Sequence, residues 1–107
     1  MSRVAQLKKM LEGEPNDAFL HFALAMEYAK QGLGAEAVTE FKKVKQINPQ
    51  YMPAYFQQGN ALIALGAIEA AKQVLAQGIT VAQQVGDRHA ATQMGEALAL
   101  LNARASS

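Results

Sequence analysis

The residues that could act as an acid, a base or a nucleophile are few in this sequence. His21 lies among apolar residues at helical spacing, so a packed histidine is a simpler interpretation than a metal ligand or a general base. His89 follows an aspartate and an arginine, where we expect a polar, solvated side chain. Ser2, Ser106 and Ser107 lie near the ends of the chain, which hold a nucleophile poorly in place.

Three acidic residues, Glu12, Glu14 and Asp17, cluster around Pro15. Carboxylates are favoured near the start of a helix, so we interpret them as turn and helix-start residues and not as a catalytic pair. Cysteine is absent, which excludes disulfides, zinc–thiolate sites and cysteine nucleophiles. The sequence contains no H-E-x-x-H, G-x-S-x-G or glycine-rich phosphate-loop motif. We therefore predict that the protein is not an enzyme and has no catalytic residue, metal or cofactor.

The charge of the chain argues against nucleic acid as a partner. Ten Lys and Arg residues against nine Asp and Glu residues give a formal net charge of +1, whereas a dedicated nucleic-acid binder has a clear basic excess. Several lysines are mixed with glutamates on what we interpret as a solvated outer face. These residues are Lys42, Lys43, Lys45 and Lys72 with Glu36, Glu40 and Glu69.

The composition predicts one small helical domain of 107 residues, half of them (50%) apolar. Ala, Leu, Gln, Lys and Glu are plentiful, and no alternating apolar pattern indicates a strand. The first residues contain charge but no apolar run of signal-peptide length, and no apolar stretch approaches the ~18 residues that cross a bilayer. We therefore expect an all-α, cytoplasmic protein without membrane insertion.

The sequence repeats itself at an interval of 34 residues. At this shift Pro15 aligns with Pro49, and Phe22 aligns with Phe56. A common register that holds proline and large apolar residues together indicates an internal repeat. The same shift aligns Gly32 with Gly66, Ala37 with Ala71, and Lys8 and Lys9 with Lys42 and Lys43.

Glycine and proline divide each unit into two helices. Gly13 and Pro15 end one helix before Asn16 or Asp17 caps the next, and Gly32 marks a tight turn within the unit. We therefore predict six helices, with fraying over residues 103–107. The expected ranges are 2–12, 17–31, 34–47, 51–65, 67–85 and 88–104.

The order of large, small and aromatic residues within each unit resembles the tetratricopeptide repeat (TPR), whose pattern is W-x2-L-G-x2-Y, then A-x3-F, then P. In the first unit His replaces Trp and Ala replaces Gly, and the second unit lacks the closing proline. The first unit reads His21-x2-Leu24-Ala25-x2-Tyr28, Ala37-x3-Phe41 and Pro49. The second reads Tyr55-x2-Gln58-Gly59-x2-Leu62 and Ala71-x3-Leu75, with Gln83 in the proline position.

This resemblance implies an α-α superhelix, a TPR-like solenoid of about six antiparallel helices. A single domain over residues 1–107 would comprise a half-repeat or cap over 1–15, repeats over 16–49 and 50–86, and a capping helix over 87–107. Small residues at Ala25, Gly59 and Gly95 are expected to let helices approach closely. Leu7, Met10 and Leu11 are expected to form the inward stripe of the first helix.

The second predicted helix has two apolar stripes, and a surface helix needs one. In a TPR stack the first helix of each pair lines a concave groove, so the resemblance implies that the second stripe of this helix faces the groove. An apolar groove of this kind suits a short helix or an extended peptide. The expected groove residues are Phe19, Phe22, Met26, Lys30, Phe56, Gln57, Asn60, Ile63, Thr92, Gln93 and Glu96.

We therefore predict a non-catalytic module that binds a peptide or helix of another protein in this groove. The alternative is a structural module in which the same apolar face holds copies of the chain together as a homo-oligomer. A third interpretation is that Phe19 and Phe22 are covered within the domain itself. Some TPR proteins hold a C-terminal carboxylate with groove cations, but Phe22, Phe56 and Thr92 occupy the corresponding positions, so that specificity is not predicted.

Overall fold

A computed structural model describes residues 2–105 and contains six α-helices joined by short turns. The predicted all-α fold of six helices is confirmed, and there is no strand within the described range. The last helix includes residues 103–105, where the sequence predicts fraying, whereas Ser106 and Ser107 lie outside the described residues. The helices are α1 (Arg3–Gly13), α2 (Ala18–Lys30), α3 (Gly34–Ile47), α4 (Met52–Ala64), α5 (Ile68–Val85) and α6 (Arg88–Ala105).

Local chemistry sets the ends of these helices. Asp17 Oδ1 accepts the backbone N–H of Leu20 at 3.0 Å, which satisfies an otherwise unpaired donor at the start of α2. Gly32 and Gly66 follow α2 and α4 with φ of +79°, a conformation that other residues rarely adopt. The same turn therefore closes the first helix of both repeats.

Successive helices pack side by side in a stack that measures 45 × 30 × 17 Å. Each helix contacts mainly the helices before and after it in sequence, and α4 also contacts α2 and α6. The first helices of successive pairs thus line one face of the stack, with α4 in the middle.

The core follows the repeat interval of the sequence. Leu7, Phe41 and Leu75 align at this interval, and their exposed fractions are 2%, 0% and 0%. Ala37 and Ala71, which align in the same way, are both fully buried. Equivalent positions of α1, α3 and α5 therefore supply the same layer of the core.

The three predicted close approaches at small residues have different outcomes. Ala25 is fully buried, and a Cβ added to Gly59 would lie 2.9 Å from Leu75 Cδ2, so both approaches are confirmed. The prediction for Gly95 is wrong, because no atom lies within 4 Å of a Cβ added there. No described helix packs on that side of α6. The sequence reasoning missed Gly78 of α5, where an added Cβ would lie 2.7 Å from Tyr55 Cβ.

The outer surfaces of α1 and α3 also differ from the expectation. Met10 is 53% exposed and does not belong to the inward stripe, because α2 is the one described helix that packs on α1. Glu40 is 7% exposed, so its assignment to the solvated outer face is wrong. Lys45 is half-buried, with its Nζ 5.0 Å from the ring centroid of Tyr55. Burial lowers the pKa of Lys45, and the charge of Lys42 lowers it further.

Candidate functional site

His21 has the same structural role as Tyr55, which lies 34 residues later. His21 Nε2 lies 2.7 Å from the carbonyl oxygen of Pro15, and the Tyr55 hydroxyl donates to the carbonyl oxygen of Pro49 at 2.7 Å. Each bond ties the first helix of a repeat to the turn before it. His21 is therefore the packed histidine that the sequence predicts, at 9% exposure.

The other ring nitrogen of His21 belongs to a hydrogen-bonded network with Glu40 and Lys43. Its Nδ1 is 2.8 Å from Glu40 Oε1, and Lys43 Nζ donates to Glu40 Oε2 at 2.8 Å. Burial raises the pKa of Glu40, but hydrogen bonds and charge from Lys43 and His21 outweigh it and leave that pKa below its usual value. His21 and Glu40 are both buried, and the network connects α2 to α3.

The aromatic and methionine residues of α2 are divided between surface and core. Phe19 is 65% exposed and Met26 is 36% exposed. Phe22 packs instead against Phe41 and Tyr51, with ring centroids 5.7 and 5.2 Å apart. Phe22 therefore closes the space between α2 and the start of α4. Lys30 is exposed at the C-terminal end of α2.

A first depression of about 220 Å³ lies between the start of α4 and the start of α6. Its base is apolar, since Met94 is 1% exposed and Met52 is 9% exposed. Its rim is polar and includes the amides of Gln57 and Gln93. The lining consists of Met52, Pro53, Phe56, Gln57, Asp87, His89, Ala90, Gln93 and Met94.

A second depression, of about 280 Å³, lies between the C-terminal ends of α2 and α4. Gln57 lines both depressions, so the two adjoin along α4. Asn60 adds a second amide here, and the remaining lining is apolar or glycine. The lining consists of Ala29, Gly32, Gly34, Gln57, Asn60, Ala61, Ala64 and Leu65.

The other expected groove residues line neither depression. Ile63 is half-buried and packs against the cluster that contains Leu62 and Leu75. Thr92 and Glu96 are exposed on α6.

The sequence analysis did not predict several residues of the first depression, although the repeat register indicates two of them. Pro53 follows Phe19 by the repeat interval of 34 residues, and His89 occupies the equivalent position of α6 after the shift of about two residues in that helix. Asp87 was also missed. Its Oδ1 accepts the backbone N–H of Ala90 at 3.0 Å and caps α6.

Two further kinds of feature are absent from the part of the chain that the structure describes. Within residues 2–105, no group of three or more His, Asp or Glu side chains is arranged to hold a metal ion. Over the same stretch, no helix has the length and apolar character needed to span a membrane.

The repeat architecture agrees with a known family. A family model described as the tetratricopeptide repeat matches residues 20–51 and 53–85, which together exceed half of the chain. The chain belongs to the tetratricopeptide-repeat family. The two matched segments comprise most of α2 with α3, and α4 with α5, so α1 and α6 flank two TPR units.

Individual TPR proteins resemble the chain over most of its length. A TPR repeat-containing protein of Pseudomonas aeruginosa is 30% identical over 88 residues, which are 82% of this chain and 84% of that protein. A TPR domain protein from Salinibacter ruber has a TM-score of 0.75 at 28% identity, over 81% of this chain and 88% of that one. The TPR2B domain of yeast Sti1, solved in a complex with pHsp70, has a TM-score of 0.86 at 22% identity, over 94% of this chain and 81% of that one.

Proposed function

We propose that this protein is a non-catalytic interaction module that binds a segment of another protein along the face formed by α2, α4 and α6. The observation that carries the proposal is the pair of adjoining depressions on this face, which share Gln57. Their apolar bases can bury side chains of a ligand, and the amides at their rims can bond to its polar groups.

The family supports this function in general terms. The TPR fold is found in domains that bind segments of partner proteins, and the Sti1 domain in its pHsp70 complex is a structural neighbour of this chain. Exposed apolar side chains on the same face are a second support. Met26 lies one helical turn before Ala29, which lines the second depression, and Phe19 lies two turns before Met26 on the same side of α2.

The proposal is tested by affinity capture from native lysate with a variant that blocks both depressions. We expect the double substitution Asn60→Arg and Gln93→Arg to abolish capture, because each arginine places a long charged side chain at the rim of one depression. The positions are exposed and helical, so the fold should survive, which circular dichroism at 222 nm can check.

A matched control separates the site from the added charge. Gln46 and Gln77 are exposed on α3 and α5, away from the proposed face, and the double substitution Gln46→Arg and Gln77→Arg adds the same two charges. A partner retained by this control and lost by the site variant supports the proposal. Equal retention by both variants would refute it.

Self-association is a second candidate, favoured by Leu100 of α6, which is 68% exposed, together with Phe19. Sedimentation equilibrium over a hundred-fold range of concentration tests it. A monomer at every concentration would exclude this candidate. A dimer that Leu100→Gln dissociates would support it.

A further inference from the structure

The arrangement of the two depressions sets a minimum length for a ligand that fills both. Their α4 residues are centred about six positions apart, which corresponds to ~9 Å along the helix axis. The depressions also lie on opposite sides of α4, and the usual spacing of packed helices, about 8–10 Å, adds a sideways offset that brings their separation to ~13 Å. An extended peptide advances ~3.3 Å per residue, so a segment of about five residues reaches from one depression to the other. Two apolar side chains about four positions apart could then enter the two apolar bases.

The charge of the lining restricts the chemistry of that ligand. Neither depression has a lysine or an arginine among its described lining residues, and Asp87 is acidic. Lys30 is exposed at the end of α2 and lines neither depression. A carboxylate that loses water here would have no lysine or arginine to compensate it, and in the first depression it would meet Asp87 as well as the imidazole of His89. The lining therefore favours an uncharged segment over a free C-terminus or an acidic tail.

The amides of the lining indicate the conformation of the ligand. Gln57, Asn60 and Gln93 each offer both a donor and an acceptor. An extended peptide has free backbone N–H and C=O groups that can pair with these amides. A helical ligand has already satisfied most of its own backbone groups and would leave the amides to water.

We propose that the groove binds an internal, uncharged segment of a partner protein in an extended conformation, with two apolar side chains about four residues apart seated in the depressions on either side of Gln57. This proposal rests on the proposed function and names the ligand of the same site.

Selection from two random decapeptide libraries against the immobilised full chain tests the proposal. In one library the peptide is flanked on both sides by Gly-Ser linkers, and in the other it ends in a free carboxylate. We expect enrichment in the flanked library, of sequences with two apolar residues about four positions apart and few acidic residues. In a synthetic copy of an enriched peptide, Asp at either apolar position should weaken binding by about tenfold or more.

A change in Gln57 gives a reciprocal test. Gln57→Lys introduces a cation between the depressions and should shift the selection towards acidic or carboxylate-terminated peptides. The matched change Gln77→Lys, on an exposed position of α5, should leave the selected sequences unchanged.

The possible failures are distinguishable. Enrichment of free-carboxylate or acidic peptides by the unaltered chain would overturn the inferred ligand and leave the proposed function standing. Enriched peptides that become helical on binding, as circular dichroism would detect, would also overturn it. Enrichment of neither library, or enrichment that persists with Asn60→Arg and Gln93→Arg, would overturn the proposed function as well.

Discussion

Two glycines inside helices give a test of packing in which the same substitution has opposite effects. Gly78 lies within α5, and a Cβ added there would be 2.7 Å from Tyr55 Cβ, an atom close to the backbone of a buried residue. Gly95 lies within α6, and no atom lies within 4 Å of a Cβ added there. The added Cβ of Gly78→Ala would also meet the Met94 side chain, so this variant overpacks the contacts of α5 with both α4 and α6, whereas Gly95→Ala meets open space.

The magnitudes follow from two opposing contributions to the free energy of unfolding. Ala is preferred over Gly in a helix by ~1 kcal/mol, and this gain is common to both variants. Overpacking a close-packed core costs about 1–3 kcal/mol, and this loss falls on Gly78→Ala. We therefore expect Gly95→Ala to gain up to ~1 kcal/mol and Gly78→Ala to lose ~1 kcal/mol. A difference of ~2 kcal/mol corresponds to roughly 8–16 °C in Tm for a domain of this size.

Urea and thermal unfolding, followed by circular dichroism at 222 nm, measure both effects. The original chain is the reference, and each alanine variant is the control for the other, since both make the same chemical change. The reasoning is refuted if Gly78→Ala is as stable as Gly95→Ala. It is also refuted if Gly95→Ala destabilises the fold.

Three further predictions concern the cap, the core and the charges. Asp17→Ala removes the side-chain acceptor for Leu20 N–H and should cost about 0.5–2 kcal/mol in urea unfolding, with Asp17→Asn restoring most of it. Gln58→Leu should stabilise the fold by about 1 kcal/mol in urea unfolding, because Gln58 is 4% exposed and its Oε1 has no hydrogen-bond partner. A loss of stability would show that the 3.1 Å hydrogen bond from Gln58 Nε2 to the Val38 carbonyl oxygen outweighs the cost of the unpaired Oε1. The pKa of Glu40 is lowered in the folded state, so the ionised carboxylate stabilises the fold above the ordinary glutamate pKa of 4.5, and this contribution should be lost as the pH falls through the folded pKa. Glu40→Gln should flatten this acid dependence of the free energy of unfolding, and an unchanged profile in urea unfolding would contradict the reasoning.

The position of each helix could be predicted because the signals are local. Gly32 and Gly66 adopt a positive φ that follows from the residue type, and Asp17 caps the helix whose start it was expected to mark. The repeat interval placed Leu7, Phe41 and Leu75 in one register, and all three are buried. These features depend on residue types and on spacings along the chain, which the sequence contains in full.

The location of the depressions could be predicted from the sequence less well than the positions of the helices. The register assigned Phe22 to the groove; its ring is partly buried against Phe41 and Tyr51, residues of other elements, and lines neither depression. His89 was expected to be a polar, solvated side chain and Asp87 was given no place in the groove, and both line the first depression. Whether a stripe on one helix faces solvent or a neighbour depends on how far the neighbouring helices rotate and approach, and the pattern of a single helix does not contain that information.

The sequence by itself determined that paired helices recur at a fixed interval, because glycine, proline and capping residues act on the backbone beside them. The tertiary structure decided which equivalent positions are covered. Met10 and Val44 align in the repeat, but Met10 is 53% exposed and Val44 is fully buried. Gly59 and Gly95 correspond after the shift of about two residues in α6, and Leu75 packs against Gly59 whereas the space beside Gly95 is open. The physical reason is that a residue is buried only where a second surface packs against it, so equivalent residues have different environments where the neighbouring helix differs.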